Sequence, residues 1–222
     1  MNVDGNTVRL LGVAQLLVFV ASFLSEQLLK SAVGAGSISD KLVNISKNLS
    51  KMRLSNVFAL ANSVAIIVLG ALFYVVLNDQ NQSIALVALG LYLAEAITVA
   101  VSKLGAFALM PLSQQFVQAG APEPSYFQTL GEWLYDGLDR RGYDIHMLFF
   151  CLGAVLWYYL LYTSALVPPG LSLWGLVAVS LMTIPMVLVL YDRRFLPLVV
   201  VALLYAPYEP VLGLWLLVRG FN

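Results

Sequence analysis

Two glutamates stand inside long apolar runs, and any chemistry this sequence performs at bilayer depth would rest on them. Glu95 lies near the middle of the run 83–109, in SIALVALGLYLAEAITVAV, and Glu209 near the middle of 195–218, in YAPYEP. A charged side chain at the bilayer centre costs at least about 2.5–3.5 kcal/mol, so such residues face a bundle interior or cavity and mark ligand or proton paths. The plain alternative is a neutral carboxylic acid that hydrogen-bonds to a neighbouring helix as structural glue. Around Glu209, Pro207 and Pro210 each lack an N–H, which should leave the carbonyls of Leu203 and Ala206 without helical partners. An interrupted helix carrying free carbonyls and a carboxyl group is the arrangement of broken-helix transporter sites. Ordinary kinks that only shape the bundle are the competing explanation, and Pro185 offers a second break in the preceding span.

Other reactive groups are few. A single cysteine, Cys151, excludes an internal disulfide and a thiolate metal cluster, and a single histidine, His146, excludes a multi-histidine site. No metal and no cofactor are expected. Tyr143, Asp144 and His146 open the fourth apolar run and read as interfacial polar residues. Asp136, Asp139 and Asp144, in DGLDRRGYD, support only a weak reading as an intramembrane transferase, because too few spaced aspartates follow to hold divalent cations. Neither Gly-x-Ser-x-Gly nor Gly-x-x-x-x-Gly-Lys is present. Lys103 follows Glu95 by two turns, about 12 Å along a helix axis, too far for direct pairing. It is expected to snorkel to the interface.

The elements that must position these residues follow from composition. Of 222 residues, 60% are hydrophobic and 11% charged, against about 45–50% and about 25% in soluble domains. Such a chain cannot cover itself with polar groups in water. Lys+Arg and Asp+Glu number 12 each, so no basic field holds nucleic acid. Six stretches reach the roughly 20 apolar residues that a bilayer crossing needs: 8–29, 54–77, 83–109, 143–166, 171–191 and 195–218. Peptide groups in hydrocarbon must bond internally, so these are helices. The expectation is an all-α polytopic membrane protein, one six-helix domain over 1–222. The first run is too long for a cleaved signal peptide.

Residues 30–53 and 110–142 are expected as interfacial amphipathic connections. Ile38, Leu42, Ile45 and Leu49 repeat at helical spacing among lysines, fitting a short surface helix; a helix packed on nothing fits equally. Tyr126, Phe127, Trp133 and Tyr135 suit the headgroup region, and Trp157, Tyr158, Tyr159 and Tyr162 suit an aromatic belt. Basic residues concentrate in the first, third and fifth connections, which the positive-inside rule would place in the cytoplasm.

At the fourth run the sequence resembles a known family. GYDIHMLFF (142–150), Tyr-Leu-Leu-Tyr-x-Ser at 159–164, YLAEA (92–96) and the final EPVLGLWLLVRGFN (209–222) carry the likeness. It is an uncharacterised bacterial membrane family, domain of unknown function 4386. The resemblance implies a six-helix inner-membrane protein and attaches no activity to it. Tyr92 stands where the family has Arg, so Glu95 loses an intrahelical counterion; Thr163 and Pro169 replace family arginines that would reverse the topology.

Two functions are compatible with these residues. The first is a non-enzymatic binder of a lipid-like small molecule or of a membrane protein partner. The alternative is a proton- or ion-coupled secondary transporter that uses Glu95 and Glu209. Counted as three spans plus three, each glutamate sits on the third helix of its half, as in inverted-repeat carriers. The two are then expected to approach one another, with Asn62 or Tyr205 as hydrogen-bond partners. Membrane lipids are the expected surroundings, and no nucleic acid partner is expected.

Overall fold

The computed structural model describes residues 5–220; the ends of the expected 1–222 domain lie outside the described residues. The described chain is helical and contains no strand. Helix α1 covers Gly5–Val33, α2 Ile38–Lys47, α3 Leu49–Leu77 and α4 Gln82–Gln118. Helix α5, Tyr126–Glu132, continues through a π-helical stretch, Trp133–Arg140, into α6, Arg141–Ser164. Helix α7 is Pro169–Tyr191, a 3₁₀ stretch covers Arg193–Leu204, and α8 is Tyr208–Val218. Six helical segments are long and apolar enough to cross a membrane. The protein is therefore an all-α, multi-pass integral membrane protein. Its outward side chains agree: Val64, Ile97, Leu104, Ile184 and Leu203 are each at least 60% exposed, a surface that water would not tolerate and hydrocarbon does.

Helices run further than the apolar stretches alone. Helix α4 has 37 residues, about 55 Å, against a hydrocarbon thickness of about 30 Å. Pro111 falls inside α4 and Pro185 inside α7, and both helices continue through them. The expected break in the fifth span is therefore not formed. The sixth span is broken: its first half is 3₁₀ rather than α, and α8 starts only after Pro207.

The chain divides into two compact units. One comprises Met1–Phe19, Val64–Ala96 and Asp144–Asn222; the other comprises Val20–Ser63 and Ile97–Tyr143. In the second unit, Leu29, Val33, Leu42, Ile45, Met52, Leu109, Phe116 and Phe127 form a buried cluster. Leu42 and Ile45 place α2 in that core, which excludes a helix packed on nothing. Phe127 is buried there too, its ring tilted against Phe116 at 5.6 Å rather than standing at a headgroup surface.

Local hydrogen bonds set the entry to α2. The Asp40 amide donates to Ser37 Oγ at 3.2 Å, and the Ser37 amide donates to Asp40 Oδ2 at 2.9 Å. This reciprocal capping box satisfies two backbone donors that the helix start leaves open. Asn44 Nδ2 donates to the Val33 carbonyl at 3.1 Å, closing the end of α1 in the same way.

The Ser37 hydroxyl and amide hold the Asp40 carboxyl below its ordinary value. A carboxylate depressed in the folded state stabilises above its unfolded pKa, and that contribution fades as pH falls through the folded value. The melting-temperature gap between the native protein and Asp40→Ala is therefore expected to narrow between about pH 6 and about pH 3. A gap that stays constant across that range would show the capping box to be inert.

Candidate functional site

The candidate site is a set of aromatic rings and two carboxyl groups in the first unit. Helix α4 supplies Tyr92 and Glu95, less than one turn apart, on a buried stripe with Ala96. Glu95 is 4% exposed, and its Oε2 has no hydrogen-bond partner. The Tyr92 ring stacks on Phe150 at 6.4 Å and meets Trp157 edge-on at 6.2 Å; Trp157 stacks on Phe73 at 5.2 Å. Gly153 makes room for this contact, since a Cβ there would lie 2.6 Å from the Tyr92 ring.

The rings continue through the broken sixth span. Phe150 meets Tyr205 edge-on at 5.4 Å, and Tyr208 meets Tyr158 at 4.9 Å and Trp174 at 5.6 Å. Eight rings thus form one connected cluster, an arrangement in which edge-to-face pairs contribute about 0.5–1.5 kcal/mol each beyond their burial. Tyr208 lies so close to Gly175 of α7 that a Cβ at that position would overlap its ring.

Why Tyr205 and Glu209 enter this cluster is a matter of backbone accounting. In a 3₁₀ stretch each N–H bonds three residues back, so Pro207, lacking its N–H, leaves the Leu204 carbonyl open. Trp174 Nε1 donates to that carbonyl at 3.0 Å. The Ala206 amide bonds four residues back, to the Ala202 carbonyl at 2.9 Å, so the α-helical spacing that frees the Leu203 carbonyl is present here beside the 3₁₀ spacing that frees Leu204. Pro210 falls in the first turn of α8, where its N–H would have had no partner within the helix. Glu209 is therefore the second residue of a helix, where the positive end of the helix dipole favours a carboxylate, and not the middle of a continuous span.

Tyr205 Oη donates to Glu209 Oε1 at 3.2 Å, and the hydroxyls of Tyr158 and Tyr205 share a short hydrogen bond. The result is a chain of phenol, phenol and carboxyl. Glu209 is half-buried and Glu95 buried, and the ring contacts Tyr92–Phe150 and Phe150–Tyr205 connect the two segments that carry them. Among the described residues no lysine or arginine pairs with either. Trp157 Nε1 and Tyr208 Oη, both fully buried, also have no hydrogen-bond partner.

Asn62 belongs to the second unit, buried, with Oδ1 unpaired. Tyr143, also in the second unit, has the Arg140 guanidinium 5.3 Å from its ring centre. Asp144 is buried in the first unit with Arg193 Nε 3.5 Å from Oδ2, and His146 is buried one turn before Phe150. Trp157 and Tyr158, expected in an aromatic belt, are instead fully buried, while Tyr159 and Tyr162 on the other face are exposed. The helical period separates the two pairs.

One feature of the second unit escaped sequence reasoning. Lys103 does not snorkel: it is buried, and its Nζ lies 2.6 Å from Asp139 Oδ1. Arg140 spans Asp139 at 2.7 Å and Glu26 at 3.2 Å, and Glu26 also reaches Lys30 at 3.5 Å. Lys103 is held instead by a carboxylate that the π-helical stretch brings to α4. Asp139 is 36 residues away in sequence, a separation that no periodicity exposes. Among the described residues no group of three or more His, Cys, Asp or Glu side chains could hold a metal ion.

A family model described as "Domain of unknown function (DUF4386)" matches residues 10–220, and the chain belongs to that family. No curated protein and no solved structure matches it.

Two substitutions test these contacts by unfolding in detergent micelles. Asp139→Asn leaves the buried Lys103 ammonium without its counterion and is expected to cost about 3–5 kcal/mol. Lys103→Met should cost less, because Asp139 keeps Arg140; equal costs would contradict this. Gly175→Ala must push the Tyr208 ring aside and is expected to cost about 1–3 kcal/mol. An unchanged melting temperature would show that the ring yields freely.

Proposed function

We propose that this family member is a proton-coupled secondary carrier of a bacterial inner membrane, in which Glu95 and Glu209 take up and release the coupling proton. The observation that carries this reading is the hydrogen-bonded chain Tyr158–Tyr205–Glu209, set at a break in a membrane-spanning segment. A proton can pass along hydroxyl and carboxyl groups, and a span broken at that point supplies the helix ends that carrier sites use. Glu95 supports the same reading. Structural glue would satisfy both of its oxygens, and Oε2 has no partner. A group that costs this much to bury and is left partly unsatisfied is retained for what it does.

The lipid-binding reading rests on a different observation. An apolar recess of about 430 Å³ is lined by Gly170, Leu173, Trp174, Val177, Ala178, Leu181 and Leu204. It adjoins the Trp174–Leu204 bond and holds no carboxyl, so it suits an apolar ligand and leaves the two glutamates unexplained. The carrier reading accounts for both glutamates and is preferred for that reason.

Proteoliposomes with a pH-sensitive dye inside, offered amines, amino acids, sugars and carboxylates under an imposed pH gradient, test the proposal. At least one class is expected to move lumenal pH about tenfold faster than protein-free vesicles. Glu209→Gln and Glu95→Gln should each abolish the signal, and Tyr205→Phe, which breaks the hydroxyl chain, should slow it about tenfold or more, within the usual range for a lost proton relay. A panel that moves no protons overturns the carrier reading.

A further inference from the structure

Two carboxyl groups without a cationic partner, set among ring faces, define the chemistry of what they would receive. We infer that the cargo of this site is a lipophilic organic cation, an amine or quaternary ammonium, held by Glu95 and Glu209 within the rings of Tyr92, Phe150, Trp157, Tyr158, Tyr205 and Tyr208. The inference rests on the carrier reading above and adds the class of solute to it.

Each alternative class fails on a feature of the site. An anion would meet two carboxyls and, among the described residues, no paired lysine or arginine. A neutral solute gives no reason to keep two acids at a place where charge is costly. A small metal ion needs six or more oxygen ligands, or His and Cys donors, and the donors here are two carboxyls and a few phenols. An organic cation needs none of those ligands. It is attracted to ring faces within about 6 Å of their centres, most strongly when desolvated, and quaternary ammonium groups are recognised by aromatic cages of this kind. The unpaired atoms point the same way: Glu95 Oε2 and Tyr208 Oη can accept from an ammonium N–H or lie against its charge.

The rings touch one another in this structure, so admission of a cation requires one wall to move. Tyr205 is that wall. It lies on the segment between the 3₁₀ stretch and α8, where backbone hydrogen bonds switch between three- and four-residue spacing, and such element-terminal positions absorb backbone rotation most readily. Tyr92 from α4, Cys151 and Tyr158 from α6, and Tyr205 and Tyr208 from the last span are the titratable groups that feel one or both carboxyls. None of these carries a positive charge. A monovalent cation therefore replaces one proton at the glutamate pair.

Isothermal titration of the purified full chain in detergent with tetraphenylphosphonium tests this, with triphenylphosphine oxide as the uncharged aryl control. Saturable binding is expected for the cation, about tenfold tighter per pH unit between about pH 6 and 8, as displacement of one proton requires. Titration in two buffers of different ionisation enthalpy should count one proton released. Glu95→Gln and Glu209→Gln should each weaken binding about tenfold or more. Tyr208→Leu should weaken it about three- to thirtyfold, and Tyr208→Phe, which keeps the ring and loses only the hydroxyl, should weaken it less. Equal binding of the uncharged control, or no saturable binding of the cation, overturns the inference; this comparison uses the native chain and does not depend on how well any variant folds. Cation binding with no proton release upholds the cargo and removes the coupling. Proton-linked flux of another solute, with no cation bound, removes the cargo and upholds the coupling.

Discussion

A peptide carbonyl freed inside an apolar environment has no water to accept, and leaving it unpaired costs about 1–3 kcal/mol. The last span of this protein is arranged around that constraint. Pro207 removes one donor, the Trp174 indole replaces it on the Leu204 carbonyl, and the chain restarts as α8 at Tyr208. The restart brings Tyr205 and Glu209 together, one at the end of the break and one in the first turn of the new helix. Without the indole the break would be an unsatisfied defect. With it, the break is a stable place to mount a phenol and a carboxyl.

The two units treat buried charge in opposite ways, and the contrast bears on function. The second unit pairs its charges: Lys103, Asp139, Arg140 and Glu26 form a chain in which each ion meets a counterion within 3.3 Å. Removing both partners of such a pair can be nearly neutral, so the network is best read as a latch that fixes α1, α4 and the π-helical stretch. The first unit places two carboxyls among tyrosines and tryptophans and gives neither a cation. A chain able to build the first arrangement has the means to neutralise the second. That it does not is the physical ground for reading Glu95 and Glu209 as groups that exchange a proton or a cation.

Much of this was legible in the sequence, for identifiable reasons. Hydropathy and length found every span, because hydrocarbon leaves helix as the only open-chain solution. Glu95 and Glu209 were legible because a carboxyl in an apolar run is conspicuous, and the break was legible from Pro207 and Pro210. Other features depend on tertiary structure. Pro185 gives no break because α7 continues through it, whereas Pro207 follows a 3₁₀ stretch, and sequence spacing does not separate these cases. Trp157 and Tyr158 face inward and Tyr159 and Tyr162 outward on one helix, so a run of aromatics read as a belt is half core. Lys103 finds Asp139 only once α4 and the π-helical stretch are in place.

The central claim is that the glutamate pair exchanges a proton as part of its work. Infrared difference spectra of the protein in lipid, recorded across a pH step, report carboxyl protonation directly. A protonated-carboxyl band is expected to appear and vanish with pH, to shift on hydrogen–deuterium exchange, and to be lost in the Glu95→Gln, Glu209→Gln double variant while other carboxyl bands persist. If the native spectrum shows no pH-dependent carboxyl band that the double variant removes, the pair holds its protons fixed and the account is wrong.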